Sequence, residues 1–304
     1  MKKCIDTSAV IVTLCMEVGD TSIERLSDMV TLWTRFLSVL RDWWTFTSIV
    51  TEWGPILATL ITEDKRKIKK FPKTVFFIRH PHTNDEADGI YRGDHAEITP
   101  QGWEEAAIVA RRIADMGVTH IVTSTLPRSR KLANIIVCEC QVAAAPNTLP
   151  VVIESGLFVE CKKPSELVNR SRKDPHALRV MERIRKYFDW FYRYSDEENR
   201  WRLEFRVWHA MRMLAELETD CVVVVTHGKF LRAIWHYVYE QSLDGFYRKA
   251  DRLMRHDHTG ITIIALKPSY RRGSLQWNLE SWNDVAHTKA FIQSNVLRDL
   301  AARP

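Results

Sequence analysis

Two hydrophobic runs, far apart in the chain, each lead directly into a histidine. Residues 74–78 read TVFFI and precede Arg79 and His80, and residues 221–226 read CVVVVT and precede His227. Short runs rich in β-branched and aromatic residues predict buried β-strands. In a mostly parallel α/β sheet, the residues that follow the carboxyl ends of the strands meet in one crevice. We therefore expect the two histidines to lie close together at one edge of such a sheet.

A third strand is predicted at residues 120–124 (HIVTS), and Arg128 follows a few residues beyond its end. It adds a second arginine to Arg79 in the same crevice. Arginine stays charged and binds phosphate through paired hydrogen bonds, and an unprotonated imidazole nitrogen can attack phosphorus to form a phosphohistidine. Gly228, directly after His227, lets the backbone approach an anion closely. These residues predict a site for a dianionic phosphoryl group.

From residue 71 onward the pattern alternates strands, loops and helices, and residues 164–218 are predicted to form a helical cap over the pocket. The predicted fold class is α/β: a three-layer α/β/α arrangement with a mostly parallel central sheet, a helical cap insertion and an added N-terminal helical segment. The other predicted elements are helices over residues 100–116, 127–140 and 229–240, and short strands over 151–153 and 260–266.

The first seventy residues have a different pattern. Thr21 and Glu24 form a capping-box signature, and apolar residues then recur at spacings of three and four as far as Trp44. We expect one helix over 21–44 that packs on residues 49–61, on the following domain or on a second copy in a homodimer. A charged linker closes this segment, so the predicted domains are 1–70, a helical extension with a basic linker, and 71–304.

Composition limits the partners and the compartment without selecting a ligand. The net charge of +6 suits acidic ligands, and a small phosphorylated substrate rather than nucleic acid is expected. Six cysteines form no CxxC pair, which indicates a reducing compartment, and the chain is expected to be cytoplasmic. The start is a poor signal peptide, and Glu52 with a Gly-Pro break argues against a membrane span over residues 43–62.

Four short motifs occur in a fixed order between residues 73 and 266. They are Arg79-His80 with Thr83-Asn84, Thr99-Pro100-Gln101-Gly102, Ser124 to Arg128, and Val225-Thr226-His227-Gly228. With these motifs in this order, the chain resembles the histidine phosphatase superfamily, which includes the cofactor-dependent phosphoglycerate mutases.

The resemblance implies a phosphatase with His80 as the phosphorylated nucleophile. It implies that Arg79, Arg128 and His227 complete the phosphate pocket, that Asn84 helps to hold phosphate, and that no metal or cofactor takes part. The first motif departs from the usual Arg-His-Gly followed by glutamate, because Pro81 and a second histidine stand after His80. Proline lacks the backbone N–H of the family's glycine.

A phosphatase of this kind needs an acid for the leaving group. Relatives carry a glutamate shortly after a strand in the middle of the domain, and Glu160 fits that pattern, with Glu154 as the alternative. Arg92, in the loop before the Thr99 helix, is either a contact to the distal part of the substrate or a solvated arginine. His258 is expected at most as a polar neighbour of the pocket.

Three functions remain open from sequence. The first is a phosphomonoester hydrolase, the second a phosphoglycerate mutase that uses basic clusters near Lys162 and Arg170, and the third a catalytically weak protein that recognises phosphorylated partners. Two pairs of histidines, around Pro81 and around Asp257, have a spacing of two residues that suits a metal. Further ligands at suitable spacing are missing, so no metal is expected.

Overall fold

A computed structural model describes residues 72–143, 149–186, 193–239, 254–268 and 275–289. The strands in these ranges form one six-stranded sheet in the order β3-β2-β4-β1-β5-β6. The strands are β1 Lys73–Arg79, β2 His120–Thr123, β3 Val151–Glu154, β4 Cys221–Thr226, β5 Ile261–Pro268 and β6 Leu275–Asp284. The α-helices are α1 Asn84–Ala87, α2 Pro100–Ala114, α3 Pro127–Ala143, α4 Pro175–Lys186, α5 Arg200–Glu216 and α6 Gly228–Tyr239.

The four strands from β3 to β1 run parallel, β5 pairs antiparallel with β1, and β6 pairs antiparallel with β5 at the edge of the sheet. The predicted mostly parallel sheet is therefore confirmed. Strand β6 was not predicted, because its sequence LQWNLESWND mixes polar and apolar residues without a clear apolar run. Most of its residues are partly exposed in the structure.

Alternate residues of β4 pack into two hydrophobic layers. Val222 and Val224 belong to a core with Leu203 and Val207 of α5 and Phe230 of α6. On the other side of the sheet, the intervening valines belong to a core lined by α2 and α3, whose residues are Ala106, Val109, Ala110, Ile113, Leu132, Ala133 and Ile136. All of these residues are buried, so the predicted three-layer α/β/α arrangement is confirmed.

The predicted cap over residues 164–218 divides into two parts with different surroundings. Helix α4 carries a small separate cluster, in which Leu167, Ala177 and Val180 are buried and Tyr91 packs at the side. Helix α5 instead packs on the sheet as part of the main core. The second half of the predicted cap is therefore a layer helix, because its apolar stripe faces β-strands.

Lys73 fixes the end of α5 to the start of β1. Its ammonium donates hydrogen bonds to the carbonyls of Leu214, Ala215 and Leu217 at 2.7, 2.9 and 2.5 Å, and the residue is fully buried. The last carbonyls of a helix lack intrahelical partners, so a lysine here acts as a cap.

Three predictions are not tested by the structure. The 21–44 helix and the homodimer through it lie outside the described residues, and the cytoplasmic location stays a prediction.

None of the helices within the described ranges is long and apolar enough to cross a membrane.

Candidate functional site

The carboxyl ends of neighbouring strands β1 and β4 place His80 and His227 side by side. Arg79 pairs in register with Thr226, and the His80 N–H donates to the Thr226 carbonyl at 2.9 Å. The two imidazole rings have centroids 5.1 Å apart. The third strand, β2, lies on the other side of β4 and delivers Ser124 and the start of α3 to the same edge. The structure therefore brings the ends of the three predicted strands together.

His80 is held in one tautomer by the backbone. Its Nδ1 lies 2.8 Å from the carbonyl oxygen of Pro81, and a carbonyl only accepts, so Nδ1 carries the proton and Nε2 a lone pair. Burial lowers the pKa of His80 well below its usual value, and the nearby Arg128, His227, Arg79 and His258 lower it further. The ring is therefore neutral in the resting site. Pro81 supplies a carbonyl, so the missing proline N–H does not affect this contact.

His227 is fully buried between two hydroxyl groups. Its Nε2 lies 2.8 Å from Ser124 Oγ and 3.3 Å from Ser129 Oγ. Burial lowers the pKa of His227 well below its usual value, and Arg128 lowers it further. The resting His227 is therefore neutral rather than an additional cation, so any proton that it gains comes with an anionic ligand.

The two arginines approach the histidines from different elements. Arg79 contacts Glu86 through one guanidinium nitrogen and donates to the His256 carbonyl at 2.6 Å through another. Arg128 is only 6% exposed and donates to the Gly93 carbonyl at 3.1 Å. A Cβ on Gly228 would lie 3.4 Å from Arg79 Nε, at the short end of ordinary van der Waals contact. The Arg79 side chain therefore lies directly against the start of α6.

Two buried polar atoms of this cluster have no hydrogen-bond partner among the described residues. They are Nε of Arg79 and Nδ1 of His227. Unpaired buried polar atoms are costly and therefore uncommon in folded proteins. Two such atoms in one cluster of side chains indicate a site that a polar ligand completes.

Glu160 reaches the same cluster from the loop after β3. Its Oε1 accepts a hydrogen bond from the Cys161 N–H at 2.8 Å, and its Oε2 lies 3.4 Å from the Lys229 N–H at the start of α6. Burial alone would raise the pKa of Glu160, but His227, Lys163, the Cys161 N–H and Arg128 lower it below its usual value. While His227 is neutral, Lys163, Arg128 and the Cys161 N–H still favour the ionised carboxyl.

Arg206 of α5 fixes the loop that carries Glu160. It forms two hydrogen bonds with Glu198, at 2.8 and 2.6 Å, and donates to the carbonyls of Leu157 and Val159 at 2.8 and 2.7 Å. Sequence reasoning missed this arginine, since an arginine on a helix carries no signal of the loop that it binds. The alternative acid, Glu154, is half-exposed at the end of β3 and pairs with Arg130 at 3.4 Å.

Two other predicted site residues make contacts of a different kind. Asn84 pairs with Glu97 twice: its N–H donates to the Glu97 carbonyl at 2.9 Å, and its Oδ1 accepts from the Glu97 N–H at 3.0 Å. Arg92 forms an ion pair with Asp88. Neither side chain forms a hydrogen bond or ion pair with His80 or His227 in the described part of the chain, so their binding roles stay predictions.

The second motif has a structural explanation. Thr99 Oγ1 accepts from the Gly102 N–H at 3.1 Å as the N-cap of α2, and it lies 2.9 Å from His82 Nδ1. A Cβ on Gly102 would lie 2.2 Å from the His82 carbonyl oxygen. This motif therefore packs the start of α2 against the segment that follows His80. Glu105 of α2 completes the contact by accepting from the His82 N–H at 2.9 Å.

The two histidine pairs that suggested a metal lie near one another, with the His258 ring 5.8 Å from that of His80 and 5.2 Å from that of His82. Among the residues that the structure describes, no group of three or more histidine, cysteine or acidic side chains has an arrangement that could hold a metal ion. His256 instead lies 2.9 Å from Thr262 Oγ1, within hydrogen-bond distance.

Comparisons with known proteins agree with this geometry. The family model of the histidine phosphatase superfamily (branch 1) matches residues 75–285. Proteins named "Probable phosphoglycerate mutase GpmB" from Serratia proteamaculans and Escherichia fergusonii are 36% and 35% identical over 75 residues, 24% of this chain and 35% of theirs. The matched segment thus spans about a third of the length of these curated relatives.

Several solved structures share the fold. A mycobacterial glucosyl-3-phosphoglycerate phosphatase in complex with VO3 is 17% identical, with a TM-score of 0.57, and the match covers 69% of this chain and 99% of that one. A phosphoserine phosphatase mutant from Entamoeba histolytica with phosphoserine is 19% identical, with a TM-score of 0.54, and the match covers 71% and 98%. These likenesses support the three-layer fold. Since the family model covers most of the chain from β1 to β6, the protein belongs to the histidine phosphatase superfamily, branch 1.

Proposed function

We propose that the protein is a phosphomonoester hydrolase that acts through a phosphohistidine on His80. The observation that carries the proposal is the neutral His80 ring 5.1 Å from His227, in a cluster with two arginines and a glutamate. A small phosphorylated molecule is the proposed substrate. Membership of the superfamily supports an enzyme of phosphatase or mutase type.

The nucleophile in this proposal is His80 Nε2. Its lone pair is available because Pro81 holds the proton on Nδ1, and the lowered pKa keeps the ring neutral at physiological pH. Attack on phosphorus forms an N–P bond as the bond to the alcohol oxygen breaks.

Arg79, Arg128 and His227 are proposed to bind the phosphoryl oxygens. The unpaired Arg79 Nε and His227 Nδ1 are polar atoms that such oxygens would satisfy. Phosphoryl transfer depends mostly on positioning and on charge stabilisation, and fixed donors in a buried site supply both.

Glu160 is the proposed acid and base. At rest its low pKa makes it a carboxylate, but a bound phosphoryl dianion neutralises Arg128 and the other cations that lower this pKa. The carboxyl then takes up a proton and gives it to the leaving alcohol oxygen. In the second step it removes a proton from water, the water oxygen attacks phosphorus, the N–P bond breaks, and inorganic phosphate and neutral His80 remain.

The first experiment measures turnover of p-nitrophenyl phosphate by the wild type and by the His80→Ala variant. We expect the variant to lose at least 1000-fold in kcat, and mass spectrometry of rapidly quenched wild type to detect one phosphoryl group on His80. His176→Gln, at an exposed histidine of α4, is the matched control and should retain full activity. Equal turnover by the wild type and the His80→Ala variant would refute the proposal.

A second experiment tests Glu160 through the leaving group. Nitrophenolate leaves without protonation, whereas an alkoxide needs an acid. Glu160→Gln should therefore lose much more activity on glycerol phosphate than on p-nitrophenyl phosphate. Single-turnover measurements of His80 phosphorylation separate this step from the later hydrolysis, and an equal loss in that rate on both substrates would exclude the acid role. Glu154→Gln is the control and should change neither rate.

Mutase activity is the second candidate, and basic groups near Tyr91 favour it. Lys163 Nζ lies 4.9 Å and Arg172 Cζ 5.5 Å from the centre of the Tyr91 ring, and Lys163 is close enough to Glu160 to affect its pKa. These cations could bind a second anionic group of a phosphoglycerate. A coupled assay for interconversion of 2- and 3-phosphoglycerate tests it, and release of inorganic phosphate alone supports the hydrolase.

A further inference from the structure

A third histidine, His258, lies beside the nucleophile. Its ring centroid is 5.8 Å from that of His80 and 5.2 Å from that of His82. It belongs to the segment that enters β5, and β5 runs antiparallel to β1. The start of β5 therefore lies at the same edge of the sheet as the end of β1, which explains how His258 reaches a site built from parallel strand ends.

Glu86 connects His258 with the phosphate-binding arginine. One carboxylate oxygen of Glu86 contacts His258 Nε2, and the other accepts from the Arg79 guanidinium. The side chains of His258, Glu86 and Arg79 are 17%, 21% and 13% exposed. A mostly buried carboxylate between two potential cations fixes the orientation of both.

The backbone around His258 is strained and tightly fixed. Thr259 has a φ of 53°, which is unfavourable for a β-branched residue. Its N–H donates to the Arg79 carbonyl at 3.1 Å, and a Cβ on Gly260 would lie 2.2 Å from Asn283 Oδ1. Strain of this kind persists where the surrounding structure holds it, and it occurs frequently at ligand-binding sites.

The charge of His258 depends on several groups around it. These are Arg79 at the end of β1, His80 and His82 directly after it, Glu86 of α1, Glu105 of α2, and Asp257 in its own loop. Burial and Arg79 lower the pKa of His258, while contact with Glu86 opposes that shift. Glu105 already accepts from the His82 N–H and from Gln101, so Glu86 is the carboxylate in direct contact. An arriving dianion would further favour the protonated ring.

We propose that His258, oriented by Glu86, is a further phosphoryl-binding residue that donates a hydrogen bond to the phosphoryl group in its protonated form. This inference rests on the proposed function, because it assigns a role in the same site. Glu86 acts as a positioning residue, since it acts through His258 and Arg79. The site then surrounds the phosphoryl group with three histidines, of which one is the nucleophile.

The experiment measures the binding of orthovanadate, a phosphoryl-like anion, by calorimetry at several pH values and in buffers of different ionisation enthalpy. We expect His258→Asn to bind vanadate at least 10-fold more weakly than the wild type at pH 6. The difference should shrink as pH rises and wild-type His258 loses its proton. The His258→Asn variant should also take up fewer protons on binding.

Glu86→Gln provides the second variant and keeps the proposal testable if His258→Asn fails to fold. It should move the pH at which vanadate affinity falls to a lower value, because the carboxylate that favours the protonated ring is gone. The matched controls are His176→Asn and Glu166→Gln, a partly exposed histidine–glutamate pair 3.7 Å apart, and they should behave like the wild type.

The outcomes separate this inference from the proposed function. Wild-type affinity, pH profile and proton uptake in His258→Asn, or an unchanged pH profile in Glu86→Gln, would overturn the role of His258. Failure of the wild type to bind vanadate would also overturn the role of His258. In each of these cases, phosphatase activity that depends on His80 would still support the proposed function. Conversely, vanadate binding that depends on His258 without turnover of any phosphomonoester would retain the role of His258 and reject the hydrolase.

Discussion

The contact between Gly102 and His82 gives a quantitative prediction. A Cβ in Gly102→Ala would lie 2.2 Å from the His82 carbonyl oxygen and 2.8 Å from Ile98 Cγ2. Carbon contacts are optimal near ~3.5 Å, so the start of α2 or the segment after His80 must move by about 1 Å. A backbone carbonyl cannot rotate away as a flexible side chain can.

The cost follows from two opposing effects. Overpacking of a well-packed site costs about 1–3 kcal/mol, and the rigid contact indicates the upper end. Alanine in a helix regains about 0.5–1 kcal/mol over glycine. The net loss is therefore about 2 kcal/mol, which corresponds to a Tm lower by roughly 4–8 °C in a domain of this size. Because a misplacement of about 1 Å near reacting groups can cost about 100-fold in rate, kcat should fall by roughly one to two orders of magnitude.

Thermal unfolding followed by circular dichroism and turnover of p-nitrophenyl phosphate measure the two effects. Gly156→Ala is the control, because a Cβ there meets no atom within 4 Å, and its Tm should change by less than about 2 °C. If Gly102→Ala matched the wild type in both Tm and kcat, the argument that this motif packs α2 against the His80 segment would be wrong.

Three further predictions concern the surrounding structure. Lys73→Met should lower the free energy of unfolding by about 2–4 kcal/mol in urea titrations, because three carbonyls at the end of α5, two of them in buried contacts, lose the lysine as donor; an unchanged midpoint would contradict this. The pKa of Glu160, lowered to about 2, means that its ionisation stabilises the fold above pH ~4.5 and is lost as pH falls toward 2. Glu160→Gln should therefore lose less stability than the wild type between pH 6 and pH 3, by up to about 2 kcal/mol, and equal losses would exclude this assignment. In Arg206→Lys the lysine cannot replace all four hydrogen bonds of the arginine, so kcat should fall about 10-fold or more. Glu198→Gln should cause a smaller loss. An unchanged kcat in Arg206→Lys would show that other contacts fix the loop that carries Glu160.

The parts of the fold that follow from local patterns could be predicted from the sequence. Strands β1, β2 and β4 are short apolar runs followed by chemically distinctive residues, so both their existence and the meeting of their carboxyl ends could be inferred. Helix α2 began where Thr99 and Pro100 indicated. Helix α5 was placed in the cap instead of the layer, because its apolar spacing does not tell which surface covers it.

The site residues that could not be assigned act through contacts distant in sequence. Glu86 is a charged residue on a single helical turn, and its role depends on where β5 begins. His258 precedes a strand, so the rule of carboxyl strand ends does not apply to it, and only the antiparallel pairing of β5 with β1 brings it to His80. The local sequence likewise does not show that Arg206 contacts the loop before Glu160 or that Ser129 contacts the His227 ring.

The hydrogen bond between the His80 ring and the Pro81 carbonyl has a consequence for how the sequence can diverge. The acceptor is a main-chain oxygen, which every amino acid possesses, so no substitution at position 81 deletes it. The residue at position 81 can therefore be substituted by any residue that keeps the local chain direction, whereas His80 cannot be substituted without loss of the ring.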